Sequence, residues 1–315
     1  MTRIIRDLNV AAEEIIKGNV VGLPTETVYG LGANALDGNA VLKIFETKDR
    51  PFFNPLIVHV SGIEDFVKYG EDIPEKLYDL AGLYSPGPIT YIVKKKILIP
   101  DIVTAGLNSV ALRIPAHQMF REVLQRSDVP IAAPSANRSG KISPTSAEDV
   151  LKELEGKIDY ILDGGKCGIG IESTVINFAD GDPEILRTGS ISKTEIENII
   201  GKTSDKRNGK VISPGQSKSH YAPVTPLYIV NEFTDADEIK DKKTGVLDFS
   251  GYSDLEEIAV NLYSDIRKLD QMNFDIIVCR KVDQQGIGIA INDRLERASV
   301  GEIKFIDQKL KVILK

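Results

Sequence analysis

Two short stretches far apart in the chain carry residue types suited to one anionic ligand. The first is Lys48-Asp49-Arg50-Pro51, running on to Asn54, Pro55 and His59; the second is Pro134-Ser135-Ala136-Asn137-Arg138-Ser139-Gly140. Each sets cations or small hydrogen-bonding side chains on a backbone stiffened by Pro or freed by Gly. Arg113 and Arg187 add two guanidinium groups inside strand-like segments. Fixed donors and planar Arg forks are what triphosphate and carboxylate recognition needs. The 315 residues include 39 Lys and Arg against 46 Asp and Glu, a net charge of −7. A cationic cluster is therefore a local feature, not a by-product of composition. Residues 1–205 hold 22 of the cations and 29 of the acids, which argues against nucleic-acid binding by charge alone.

Each of these residues also has a plain structural reading. Lys48 and Arg50 suit a solvated helix end, where cations favour the C-terminal dipole. Arg113 and Arg187 suit structural ion pairs. His59 suits either a satisfied core position or the site. His117 suits a helix start, and Lys94-Lys95-Lys96 an exposed edge or loop. Gly30-Leu31-Gly32 resembles a dinucleotide fingerprint, but five residues separate it from the preceding strand and no acid follows at the usual spacing. A tight loop approaching some ligand fits it better. No GxxxxGK[ST] occurs, and Ser135 stands in no GxSxG elbow, so neither a P-loop nor an acyl-transfer triad is indicated. Cys167 and Cys279 form no CxxC pair or ligand cluster, so neither a disulfide scaffold nor a structural zinc is expected, and a cytoplasmic setting is the simplest. The mixed N-terminus and the lack of an apolar run of about 18 residues point away from a signal peptide and a membrane.

The elements that must position these residues read as α/β. Asp7 caps a first helix ending near Gly18, and residues 20–24 form a buried strand. Residues 25–37 read as a loop, 39–47 as a helix and 56–60 as a strand. Helices follow near 62–68 and 74–83, strands at 89–93 and 109–114, a helix at 117–126 and a short strand at 130–133. Thr145 with Glu148 reads as a capping box, and so does Ser253 with Glu256. Strands are expected near 159–163, 173–178 and 184–187, and a helix at 192–200. Composition then shifts to Gly, Lys, Ser and Asn, giving an interdomain linker at 205–225 that is expected to be ordered. Beyond it strand 227–230, helix 235–240, strand 245–248, a helix, strand 275–279 and a helix alternate as a small, parallel-sheeted unit.

Several motifs occur together and in order: Leu23-Pro24-Thr25-Glu26-Thr27-Val28-Tyr29-Gly30-Leu31-Gly32, Lys48-x-Arg50-Pro51, Asn54-Pro55-Leu56-Ile57-Val58-His59, Pro86-Gly87-Pro88, Ala132-Ala133-Pro134-Ser135-Ala136-Asn137, Glu172-Ser173-Thr174-Val175-Ile176 and His220-Tyr221-Ala222-Pro223. In this the chain resembles the long, two-domain branch of the threonylcarbamoyl-AMP synthase family. The resemblance implies a YrdC-like twisted, open α/β domain with a large cavity over 1–204, the linker at 205–225, and a small Rossmann-like domain over 226–315. It implies an ATP-dependent nucleotidyltransferase that joins L-threonine, bicarbonate or carbon dioxide, and ATP. Threonylcarbamoyl-AMP and pyrophosphate result, and a separate transferase uses the product to modify tRNA.

By motif, Lys48, Arg50, Ser135 and Asn137 carry the catalytic signature. Arg50, Asn54, Ser109, Ser135, Ser143, Arg187 and Tyr221 bind ATP. Thr27, His59, Arg113, Ala133 and Ser173 hold threonine, with the Arg113 fork on its carboxylate. Magnesium accompanies the ATP phosphates, with no metal ligand expected from protein side chains. Two features depart from the family pattern: Arg187-Thr188-Gly189 has Thr where Pro is usual, and Ser219 stands where Lys commonly precedes His-Tyr-Ala-Pro. Two other readings compete: a non-catalytic RNA-binding module, with direct tRNA binding left open, and a carbamoyl-transfer accessory domain like that of hydrogenase maturation proteins.

Overall fold

Five of the described helices start on a short polar side chain that satisfies free backbone amides. The computed structural model describes residues 1–204, 220–233, 242–306 and 309–315. Asp7 accepts from the amides of Asn9 and Val10 and opens the first helix. Asp37, Ser146, Ser192 and Asp254 do the same for four later ones. Neither expected capping box forms; in each case the capping side chain is one residue further on. Ser146, not Thr145, caps its helix, while Thr145 donates to the Asp149 carboxylate. Asp254, not Ser253, caps the other, and Ser253 bonds to Glu257 instead.

The chain divides into two compact units, Met1–Ser139 with Pro144–Ser217 and Gly140–Ser143 with Lys218–Lys315. The contiguous 1–204 domain is thus interrupted: residues 140–143 pack with the second unit. Residues 205–219 of the expected linker and the expected helix at 235–240 lie outside the described residues.

In chain order, the first unit contains β1 (Arg3–Ile5), α1 (Leu8–Ile16), β2 (Val21–Leu23), β3 (Gly30–Asn34), α2 (Gly38–Lys48), β4 (Ile57–His59), α3 (Glu64–Tyr69), β5 (Gly70–Glu71), α4 (Glu75–Tyr84), β6 (Ile89–Lys95), α5 (Asp101–Thr104), β7 (Ser109–Arg113), α6 (Gln118–Ser127), β8 (Ile131–Ala132), α7 (Ala147–Leu154), β9 (Tyr160–Leu162), β10 (Thr174–Asn177), β11 (Glu184–Arg187) and α8 (Lys193–Ile200). Among the described residues its eleven strands form one mixed sheet, ordered β1-β9-β2-β3-β8-β4-β7-β6-β10-β11, with β5 on β6. Tyr29, Leu31, Phe45, Val58, Phe66, Tyr91, Leu112 and Ile161 lie in its main core. The α/β expectation holds.

The second unit contains β12 (Leu227–Val230), β13 (Thr244–Leu247), α9 (Leu255–Asp270), β14 (Ile276–Cys279), α10 (Gly288–Ala298), β15 (Gly301–Ile306) and β16 (Lys309–Leu314). Its sheet runs β13-β14-β12-β15-β16, the first four strands parallel and the last antiparallel. Most of this parallel core follows from alternating strand and helix patterns; the β15–β16 hairpin does not appear in the sequence reading.

Residues 25–37 are not one loop. β3 occupies Gly30–Asn34, pairing antiparallel with both β2 and β8. The glycines of the apparent fingerprint are therefore strand residues crowded by their neighbours. A Cβ on Gly32 would lie 2.6 Å from the Leu23 side chain and 2.9 Å from that of Ile131. Both neighbours are fully buried, so neither has room to withdraw. Gly32→Ala is expected to lower stability by about 1–3 kcal/mol, read as a shift of the urea midpoint.

Candidate active site

The two motif stretches meet because β3 and β8 are neighbours. The chain leaving β8 continues beside the segment entering β3: Leu31 donates to the Pro134 carbonyl at 2.8 Å and Ala136 to the Tyr29 carbonyl at 2.8 Å. Lys48, the last residue of α2, completes the join. Its Nζ donates to the Ser135 carbonyl at 2.6 Å and to the Asn137 carbonyl, while its own carbonyl accepts from the Ser139 amide at 2.9 Å. Lys48 is 1 % exposed, which removes the solvated-helix-end reading. Its Nζ ties the Ser135–Asn137 loop to the end of α2. Burial, reinforced by the nearby Arg50 charge, pulls its pKa well below the usual lysine value.

Arg50 follows the left-handed residue Asp49 (φ 51°) that ends α2. Its Nη2 donates to the carbonyls of Asn54 and Pro55 at 3.4 and 3.1 Å. Its Nε is buried with no hydrogen-bond partner. Burial lowers the guanidinium to about 10, so it stays charged near neutrality. A buried, charged donor without an acceptor is costly in isolation. It fits a group that an anionic ligand completes.

The second set is laid out by strand register. His59 ends β4 directly opposite Arg113, which ends the parallel strand β7. Tyr91 of β6 pairs with Leu112, one residue before Arg113. Val175 of β10 pairs with both Thr90 of β6 and Arg187 of β11. Five neighbouring strands thus bring His59, Arg113, Thr90, Ser173 and Arg187 to one end of the sheet. Arg187 donates through Nε to the Ser173 carbonyl and through Nη2 to its hydroxyl, both at 3.0 Å. The Ser173 and Thr90 hydroxyls share a bond of 2.8 Å. Gly189 makes this turn possible, since a Cβ there would come within 2.3 Å of the Thr174 amide nitrogen.

Arg113 is 4 % exposed. It donates to the Glu26 carboxylate at 2.6 Å, the Thr27 hydroxyl at 3.0 Å and the Gly87 carbonyl at 3.3 Å. The structural ion pair suspected for Arg113 therefore exists, and its partner, Glu26, is absent from the residues singled out in the sequence. Burial pushes the Glu26 carboxyl up, but the charge and hydrogen bond of Arg113 outweigh it, and its pKa is lowered. His59 is buried against Phe120 with ring centroids 4.9 Å apart. Burial and then the Arg113 charge depress it to about 3, against a backbone hydrogen bond at Ile131. It is neutral near pH 7, and its Nδ1 has no partner.

Of the other predicted residues, Thr27, Ala133 and Asn137 are buried in the first unit, and Asn54 lies at 9 % exposure beside Arg50. Ser109 opens β7, opposite Lys94. Four residues of strand, about 13 Å, separate it from Arg113. Ser143 and Tyr221 belong to the second unit. There Tyr221 has φ 65° and packs on Tyr263 and under the Arg294 guanidinium. Among the described residues no three His, Cys, Asp or Glu side chains gather as a metal site, and no helix is long and apolar enough to cross a membrane.

Residues 13–189 match the Sua5/YciO/YrdC family model, described as telomere recombination, and residues 191–300 match a model described as the threonylcarbamoyl-AMP synthase C-terminal domain. The chain belongs to the threonylcarbamoyl-AMP synthase family. It is 41 % identical to the threonylcarbamoyl-AMP synthase of Pyrococcus abyssi, covering 93 % of this chain and 94 % of that one. A Pseudomonas putida synthase is 35 % identical but spans only 57 % of this chain with 95 % of its own length. The crystal structure of Pyrococcus abyssi Sua5 complexed with L-threonine superimposes with a TM-score of 0.89 at 39 % identity, covering 95 % of this chain and 97 % of that one.

Within this synthase fold, His59 makes stability depend on pH. Its folded pKa lies below the unfolded value of about 6.5, so between the two the unfolded chain binds more protons. Stability should fall as pH drops from about 6.5 toward about 3, by up to about 1.4 kcal/mol per pH unit from this group. A His59→Asn variant should show a flatter decline over that window in urea titrations.

Proposed function

We propose that this protein is an L-threonylcarbamoyladenylate synthase acting as a nucleotidyltransferase on ATP, L-threonine and bicarbonate or carbon dioxide. The threonine nitrogen attacks the carbon of carbon dioxide or its equivalent and loses a proton, giving a carbamate. A carbamate oxygen then attacks the α-phosphorus of ATP, and the bond to pyrophosphate breaks. Family membership and the row of polar groups at one end of the sheet both support this reading, and the row is the observation that carries it.

The chemistry brings together a carboxylate, a carbamate and a triphosphate, all negative. Fixed cations and donors lower the barrier by holding them in place and stabilising the charge that develops. Arg50 is assigned to the phosphates and Asn54 lies beside it. Lys48 holds the loop that offers Ser135 and Asn137. Arg113 takes the threonine carboxylate. Thr27, neutral His59, Ser173 and the Ala133 main chain surround the rest of the amino acid. Arg187 reaches the nucleotide from the Ser173 side, and Ser109, Ser143 and Tyr221 are further nucleotide contacts by motif. Magnesium enters with ATP as part of the substrate. The product passes to a tRNA threonylcarbamoyl transferase, and a cytoplasmic setting belongs to the same proposal.

Pyrophosphate release should require ATP, L-threonine and bicarbonate together, and omission of any one should abolish it. Arg50→Ala should lower the turnover rate by about a hundredfold or more while the circular-dichroism spectrum is retained. Unchanged turnover would remove Arg50 from the reaction. Tight tRNA binding without pyrophosphate release would favour the RNA-binding alternative.

A further inference from the structure

Glu26 is a conspicuous carboxylate: it is largely buried, with 14 % side-chain exposure, and it pairs with a residue already assigned to a substrate. Both of its oxygens are engaged. One accepts from Arg113 Nη2 at 2.6 Å and the other from the Ala116 amide at 3.1 Å. The carboxylate thus bridges the side chain that ends β7 and the main chain three residues beyond it. Thr27 accepts from the same Nη2 at 3.0 Å, and the Gly87 carbonyl accepts from Nε at 3.3 Å. Two of the three guanidinium nitrogens are therefore tied to protein, and Nη1 makes none of these bonds.

We propose that Glu26 is a positioning residue that locks the Arg113 guanidinium so that Nη1 is presented to the carboxylate of the amino-acid substrate. The inference rests on the reading of Arg113 as the threonine carboxylate partner. A buried Arg whose carboxylate is removed becomes an uncompensated charge and is released to turn toward water. A long side chain then has to be reordered at each binding event, at a cost in affinity. Shape alone does not replace Glu26. A glutamine at 26 has one acceptor and one donor end, so either Arg113 or the Ala116 amide would face a second donor.

The experiment uses the full chain and measures L-threonine and ATP affinities by calorimetry, turnover by pyrophosphate release, and thermal melting. Glu26→Gln should weaken L-threonine binding by about tenfold or more and leave ATP affinity within about twofold, with the loss in kcat/KM appearing mainly as a raised threonine KM. Glu26→Asp keeps both acceptors and the charge, and should recover part of the lost affinity. Three results would each overturn the proposal: unchanged threonine affinity in Glu26→Gln; tighter binding, which would make Glu26 a competitor for Arg113; or a parallel fall of threonine affinity, ATP affinity and melting temperature in both variants. A wild-type chain that binds no threonine and releases no pyrophosphate would instead sink the functional reading itself, and this inference with it.

Discussion

The first unit depends on keeping desolvated cations in place within an acidic molecule. Lys48, Arg113 and Arg187 are each less than a tenth exposed, and a buried charge is tolerated only when other groups satisfy it. The chain solves this differently each time. Lys48 uses two main-chain carbonyls, Arg113 a carboxylate, a hydroxyl and a carbonyl, and Arg187 the carbonyl and hydroxyl of Ser173. These groups fix where the basic side chains sit. Preorganisation of this kind stabilises developing negative charge without rearrangement during the reaction.

The sheet supplies the geometry that side chains alone could not. β4 and β7 run parallel and end together, β6 starts where β7 ends, and β10 and β11 meet the same level. A one-residue slip in any pairing would turn a row member to the opposite face. The bulge between Val175 and Ile176 lies beside the residues that seat Arg187. A register fault there would be felt at the site as well as in the core.

Much of the fold was legible in the sequence because its cues are local. Asp7 and the helical spacing of 255–269 mark their helices, and the apolar runs at 56–60 and 109–114 mark strands. β3 was missed because glycine-rich strands carry little apolar signal, and the packing that demands Gly32 comes from Leu23 and Ile131, the latter about a hundred residues away. The motifs point to candidate site residues but not to their bonds. Lys48 reads as a ligand contact, whereas its partners are carbonyls that no side-chain pattern reveals. Glu26 sits inside a recognised motif, yet its partner lies 87 positions on, and only the sheet topology brings the two together.

Residues 140–143 carry a consequence for how this architecture is divided. The carbonyl of Gly140 accepts from the Ala222 amide at 3.0 Å, and that of Ile142 accepts from Arg267 at 3.1 Å. This four-residue segment is synthesised well before the polypeptide that satisfies it. The second unit is therefore discontinuous along the chain, and this segment finds its partners only once Ala222 and Arg267 have emerged.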